Sequence, residues 1–252
     1  MLRPTPHEKA KKEIYHVNAK SSPSGFFSAG AVLSIIVPFL IYRWILKGEE
    51  RTVTNKEYVK TFLLSATVYM IPIIVIQVSF DFLLPWDPNT VTTIGQRFFT
   101  SFIRASLLED GAKLFFVYRC LKRRQELGMK ETILLAGIIG IGFGFLEKLV
   151  MGEAALILNA FFPGHMLFQW LMGYFLYKAM RAEGTERKQL FALSYLVPFL
   201  LHGVWDLGLF LSDVMEDSLG MPITGIVILF VMVILYIVAF VKSIKTVKRT
   251  KA

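Results

Sequence analysis

Apolar runs of about twenty residues recur along this chain, at 26–46, 62–84, 98–118, 132–151, 155–178, 190–211 and 222–241. An α-helix of that length covers the ~30 Å hydrocarbon core of a bilayer. In lipid every backbone N–H and C=O must find its partner inside the protein, so such runs are read as helices. Composition agrees: of 252 residues 54% are hydrophobic and 22 are Phe, with a mean hydropathy of +0.54. The expected fold is all-α, a polytopic transmembrane helical bundle of about seven spans. It forms a single domain over 26–241, with basic tails at 1–25 and 242–252. The connectors are too short for a second domain. The run that starts at Phe26 is too long for a signal-peptide core and lacks a small-residue cleavage site, so it is expected to be retained.

The net charge is +9, and its placement argues for a membrane rather than a nucleic acid. Lys and Arg gather in 47–61, 119–131, 179–189 and the C-terminal tail. By contrast 85–97 has only Arg97, and 212–221 carries Asp213, Glu216 and Asp217 with no basic residue. Basic connectors stay on the cytoplasmic side, beside anionic lipid headgroups. This places the C-terminus inside and predicts a multi-pass protein of the cell membrane, with membrane lipids as partners. The basic N-terminal tail would then lie outside, unless 26–46 does not fully cross. No basic helix face with interleaved aromatics lies outside the runs, so nucleic acid is not an expected partner. Cys120 is the only cysteine, which excludes an internal disulfide and a cysteine metal site.

Ionisable residues inside these runs are the candidates for function, because each charge at mid-membrane costs ~2.5–3.5 kcal/mol on insertion scales. The third run holds Arg104, Glu109, Asp110 and Lys113. The fourth holds Glu147 and Lys148, the fifth His165 and Gln169, and the sixth His202 and Asp206. Glu109 with Lys113, His165 with Gln169, and His202 with Asp206 have i, i+4 spacing and so share a helix face. With the orientation above, Glu109, Glu147, His165, His202 and Asp206 all fall ~6–17 Å below the outer surface at ~1.5 Å per residue. Four helices of alternating direction thus bring their polar residues to one layer. Taken singly, each has a plainer reading: an ion pair that fixes register, or a hydrogen-bonded interior histidine. Arg104 is assigned no chemistry, and Asp81 is expected to be solvated at the interface. Trp44, Trp86 and Trp170 are read as interfacial anchors or packing residues. The small-residue stripe Ala136, Gly140 and Gly144 is read as a helix-packing surface.

In order along the chain, Glu109-Asp110-x-x-Lys113, Phe143-x-x-x-Glu147, Pro163-Gly164-His165 with Gly173, and His202-Gly203-x-Trp205-Asp206 resemble the PrsW family of intramembrane proteases. That family groups with the CAAX prenyl proteases and bacteriocin-processing membrane proteins, and Glu147 favours the PrsW branch. The resemblance covers about 100–215. It implies an endopeptidase that cleaves membrane-anchored proteins, anti-sigma factors among them, around a water-accessible cavity between four helices at about 98–211. This chain departs from the family at Asp110, where a second Glu is usual, and at Lys148, where Asn is usual.

Peptide hydrolysis needs a nucleophile, a proton acceptor and stabilisation of the developing oxyanion. No Ser-His-Asp set is evident, so water is the expected nucleophile. Glu109 is assigned as general base, with Glu147 sharing this work or holding the water. His165 and His202 position the water or donate to the oxyanion. Asp206 orients a histidine, Lys113 compensates the negative charge beside it, and Asp110 is the neighbouring acid. Lys148 is expected to point away from Glu147. A zinc version uses the same two histidines and glutamates, but no HExxH helix supports it, so a cofactor-free glutamate mechanism is preferred. A carrier with the same polar layer is the non-enzymatic alternative. It would show Gly/Pro-interrupted spans in matching halves, and no such symmetry is present.

Overall fold

A computed structural model describes residues 28–48, 52–86, 93–219 and 222–249, with the side chains of 209–229, 232 and 240 outside the described set. Among the described residues every regular element is a helix. In chain order these are α1 (Ala29–Ile45), α2 (Asn55–Ala66), α3 (Met70–Asp81), α4 (Ile94–Phe99), a π-helix (Thr100–Leu107), α5 (Leu108–Lys122), α6 (Met129–Met151), α7 (Glu153–Phe161), α8 (Gly164–Ala179), α9 (Gly184–Leu219) and α10 (Pro222–Arg249). Three helical stretches are long and apolar enough to cross a membrane: Asn55–Asp81, Met129–Met151 and Gly184–Gly208. The bent pair α7–α8 makes a fourth when taken as one span. The basic tail 1–25 and the acidic side chains of 212–221 lie outside the described residues. At ~1.5 Å per residue the 17 residues of α1 reach ~25 Å, short of a full hydrocarbon core.

Three of the expected continuous spans are not regular helices throughout: 62–84 is interrupted at Thr67–Tyr69, between α2 and α3, and two others change more. The run 155–178 breaks into α7 and α8 with a 43° bend. Pro163 explains the break: it lacks an N–H and pushes the residue before it out of the helical region, and Phe162 has φ −128° and ψ 68°. The run 98–118 grows to 94–122 and is π-helical over Thr100–Leu107. There the Ser106 hydroxyl donates to the Ser101 carbonyl at 2.8 Å, five residues back. Single-turn π segments are uncommon and concentrate at functional sites, and this longer one leads directly into Glu109.

α6 lies at the centre, with 67% of its apolar window buried against 28% and 22% for the other two long stretches. Its glycines let neighbours touch its backbone. A Cβ at Gly142 would collide with Ser65 and the Phe62 carbonyl of α2, and one at Gly140 with the His165 carbonyl of α8. From the other side, a Cβ at Gly173 of α8 would sit 2.8 Å from that of Ala136. Trp170 is a packing residue, not an interfacial anchor: it is buried and donates to the Tyr42 hydroxyl at 3.0 Å, while Tyr42 donates to the Leu134 carbonyl. At the far end of α6, Gly152 takes φ +102°, a left-handed conformation that lets the chain turn at once into α7.

The basic connectors meet at one end of the bundle. Arg124 pairs with Glu57 at 2.6 Å, and the buried Glu131 carboxylate accepts from the backbone N–H groups of Thr52 and Val53 at 2.6 and 2.8 Å. Arg181 donates to the Leu127 carbonyl at 2.9 Å, and Lys130 to the Lys248 carbonyl at 3.2 Å. The connectors around 52–57, 123–131 and 181 therefore gather with the C-terminal end of α10. Helix polarity puts Asp81, Gly152 and His165 toward the opposite end.

Candidate active site

The seven ionisable residues singled out in the sequence form one contiguous network. α5 supplies Glu109, Asp110 and Lys113, whose spacing turns all three to one side of the helix. Lys113 is fully buried and is the hub. Its Nζ lies 2.9 Å from Glu109 Oε2, 3.5 Å from Asp110 Oδ1 and 3.1 Å from His165 Nδ1. It also sits 5.1 Å from the centre of the Phe143 ring on α6. A buried cation is tolerable only when it is paired and hydrogen-bonded, and these neighbours meet that condition.

The two histidines face each other across the network with ring centres 5.0 Å apart. His165 Nε2 lies 2.6 Å from Glu147 Oε2. His202 Nδ1 lies 3.0 Å from Asp110 Oδ2, and its Nε2 is 3.4 Å from Asp206 Oδ2. Gln169 turns to Asp110, to whose Oδ1 its amide donates at 3.4 Å, rather than to His165 one turn away. Ligand atoms of Glu109, His165 and His202 all lie within 4.8 Å of one another. Glu147 is the most exposed of the acids that meet the histidines, at 32% of its side chain, so the network is least covered by protein on its side.

Backbone packing sets this geometry. A Cβ at Gly144 would come within 2.9 Å of His165 Cδ2 and 3.1 Å of Asn159 Oδ1. The Gly140–Gly144 stripe therefore seats the start of α8, which carries His165, against α6. Gly203 does the same for α9: a Cβ there would strike the Phe102 ring, which comes from the π-helix. The glycine beside His202 thus lets α9 approach the segment that leads to Glu109.

Two side chains depart from the sequence expectation. Lys148 does not point away, because its Nζ bonds Glu147 Oε1 at 2.6 Å. At the last turns of α6 both side chains reach the same partly exposed rim, and the flexible lysine stem curls back to the adjacent carboxylate. Asp81 is not merely solvated, since both its oxygens accept from the guanidinium of Arg104, with both side chains about three-quarters shielded. In a low-dielectric setting each charge takes the other as its partner in place of water. Gln77, the one amide in α3, was not among the residues singled out by sequence. Its Nε2 lies 3.3 Å from Glu109 Oε1 and 3.4 Å from the Arg104 carbonyl. A lone amide in an apolar run was the available signal.

A helical bundle with apolar spans and with acids and histidines gathered in one network has the form of an intramembrane protease, and comparison with known proteins makes the class definite. The family model described as PrsW family intramembrane metalloprotease matches residues 55–239, so the chain belongs to the PrsW family and is a membrane protease. Protease PrsW of Clostridioides difficile (strain 630) is 25% identical over 191 residues, covering 69% of this chain and 76% of that one. Protease PrsW of Oceanobacillus iheyensis is 29% identical over 155 residues, covering 59% and 67%. Protease PrsW of Geobacillus kaustophilus is 34% identical over 113 residues, covering 42% and 50%. No solved structure matches.

Proposed function

We propose that this chain cleaves membrane-anchored proteins of the anti-sigma-factor kind within the outer part of the cell-membrane bilayer. In this reading Glu109, His165 and His202 hold a divalent metal, and the active site is the network around Lys113. The observation that carries the proposal is the convergence of those three donors within 4.8 Å. Two imidazoles and one carboxylate suit Zn²⁺ and leave a position open for water, which fits a family described as metalloproteases. To ligate, His165 would exchange its contact with Lys113 or Glu147, and Glu109 its contact with Lys113, for the ion. When bound, such an ion acidifies water and polarises a carbonyl. Asp110 holds His202 by Nδ1, the usual support for a ligating histidine, and Nε2, now 3.4 Å from Asp206 Oδ2, would be the nitrogen offered to the ion. Glu147, partly exposed and next to His165, accepts the proton of the attacking water and returns it to the leaving amine. The basic connectors gathered at one end support their cytoplasmic placement, with the site toward the outer face and about seven crossings in all.

A second reading keeps the site free of metal. A charged Lys113 donates to His165 Nδ1, which leaves the ring proton on Nε2, facing Glu147. Glu109 then activates the water, and the histidines hold it or donate to the oxyanion. The readings share every residue and differ in whether Glu109 and the histidines hold an ion, and in whether Glu147 or Glu109 is the base.

The protease assignment of these residues is tested by co-expressing the chain with a single-span membrane-anchored anti-sigma factor. Glu109→Gln and His202→Ala should each abolish cleavage while the protein accumulates to normal levels. Cleavage near the wild-type rate in either variant would remove that residue from the site.

A further inference from the structure

Beside the two histidines lies a cavity of about 100 Å³ that the network itself does not fill. Its apolar walls come from Met151, Ala155, Leu158 and Phe162, on and around α7, and from Phe168 and Trp205 on α8 and α9. His165 and His202 close one end, and Phe168 stacks on the His202 ring with centres 5.3 Å apart. A group that enters this space therefore lies against the imidazoles. Most of its lining is apolar, which suits a hydrocarbon group, while Lys148, Asn159, His165, His202 and Asp206 supply its polar part.

We propose that this cavity is the subsite that receives an aliphatic side chain of the substrate next to the scissile bond, with Ala155 and Leu158 setting the size it admits. The proposal rests on the protease reading of the adjoining network. Three features argue for a substrate side chain as the occupant. The cavity is continuous with the histidines. Lys148 and Asp206 are the only acidic or basic side chains besides the histidines in its lining. Its volume falls below the ~150 Å³ of an apolar cavity that takes a benzene ring, so Val, Leu, Ile or Met fits and an indole does not. α7 is held in place as a wall: Asn159 donates to the Ser34 hydroxyl of α1 at 2.9 Å, and the Glu153 carboxylate accepts from the Gly30 N–H at 2.6 Å. A fixed wall selects by size more sharply than a mobile one.

The test uses the full chain in phosphatidylethanolamine–phosphatidylglycerol vesicles. The probes are single-span helical peptides that carry Ala, Leu, Phe or Trp at successive positions of the outer third, with products mapped by mass spectrometry. Wild type should cut beside Leu at a fixed offset, in preference to Ala and Trp. Ala155→Phe fills the cavity and should lower cleavage at Leu sites relative to Ala sites on the order of ten- to a hundredfold, the scale of pocket discrimination by a few methylenes. Leu158→Ala enlarges it and should raise cleavage at Phe sites relative to Leu. Opposite shifts cannot come from misfolding. If both variants keep the wild-type preference, or lower all sites equally, the subsite is wrong and the protease reading stands. A wild type that cuts without regard to side chain likewise overturns the subsite alone. A wild type that cuts none of the peptides removes the protease reading of the network and the subsite with it.

Discussion

Asp110 Oδ2 and His202 Nδ1 lie 3.0 Å apart in a fully buried contact, and this pair decides which ring nitrogen faces the centre of the network. A carboxylate can only accept, so Nδ1 carries the proton, and in the metal reading Nε2, 3.4 Å from Asp206 Oδ2, is the nitrogen that would turn to the ion.

Asp110→Asn should therefore weaken metal binding about 10- to 100-fold, the usual cost of losing an outer-sphere carboxylate. Asp110→Glu, which restores the residue usual in the family, should keep binding within a few-fold. Competition with a chromogenic zinc chelator measures this directly. Equal affinity in Asp110→Asn and wild type would show that the contact is purely structural.

Lys148 occupies Glu147 Oε1, the oxygen not directed at His165. Lys148→Asn should release that oxygen and raise kcat up to about fivefold, the scale of ~1 kcal/mol for a partly exposed ion pair. Unchanged or lower kcat at equal expression would mean that Lys148 helps to hold Glu147 in place.

Gly144 marks the closest approach of α6 to the His165 ring. Gly144→Ala should destabilise the protein by ~1–3 kcal/mol through overpacking. Because a displacement near 1 Å can cost ~100-fold in rate, activity should fall by more than tenfold. Gly95→Ala, where a Cβ meets nothing within 4 Å, serves as the control and should match wild type. Thermal melts in detergent together with cleavage rates test both effects.

Asp81 and Arg104 tie α3 to the π-helix. Asp81→Asn leaves the guanidinium without its carboxylate partner and should lower Tm. The double exchange Asp81→Arg with Arg104→Asp should recover part of the loss. A double exchange that melts no higher than the single variant would show that position rather than charge pairing matters.

Much of the site was legible because charge in hydrocarbon is expensive. Glu109, Asp110, Lys113, Glu147, His165, His202 and Asp206 stand out in apolar runs, and counting residues from the expected span ends put Glu109, Glu147, His165, His202 and Asp206 in one layer. The helices were legible for the same reason of length and apolarity. Three features were not. The π-helix at Thr100–Leu107, whose Phe102 seats against Gly203, carries no local pattern that sets it apart from an ordinary helix. The break at Phe162 could have been read from Pro163, but continuous hydropathy across 155–178 hid it. The turn of Lys148 back to Glu147 depends on side-chain rotamers, since neighbouring positions ~100° apart were expected to diverge. Conversely, the small-residue stripe read as simple packing also positions a histidine of the site.

The proposed mechanism depends most on Glu109, His165 and His202 acting as ligands. The decisive measurement is metal content together with cleavage rate for purified wild type, before and after exhaustive chelation. The metal reading predicts about one equivalent of a divalent ion, loss of activity on chelation and recovery on adding Zn²⁺, with Glu109→Gln and His202→Ala failing to retain the ion. Full activity after chelation, with no metal detected, would contradict it and leave Glu109 as the base of a metal-free protease.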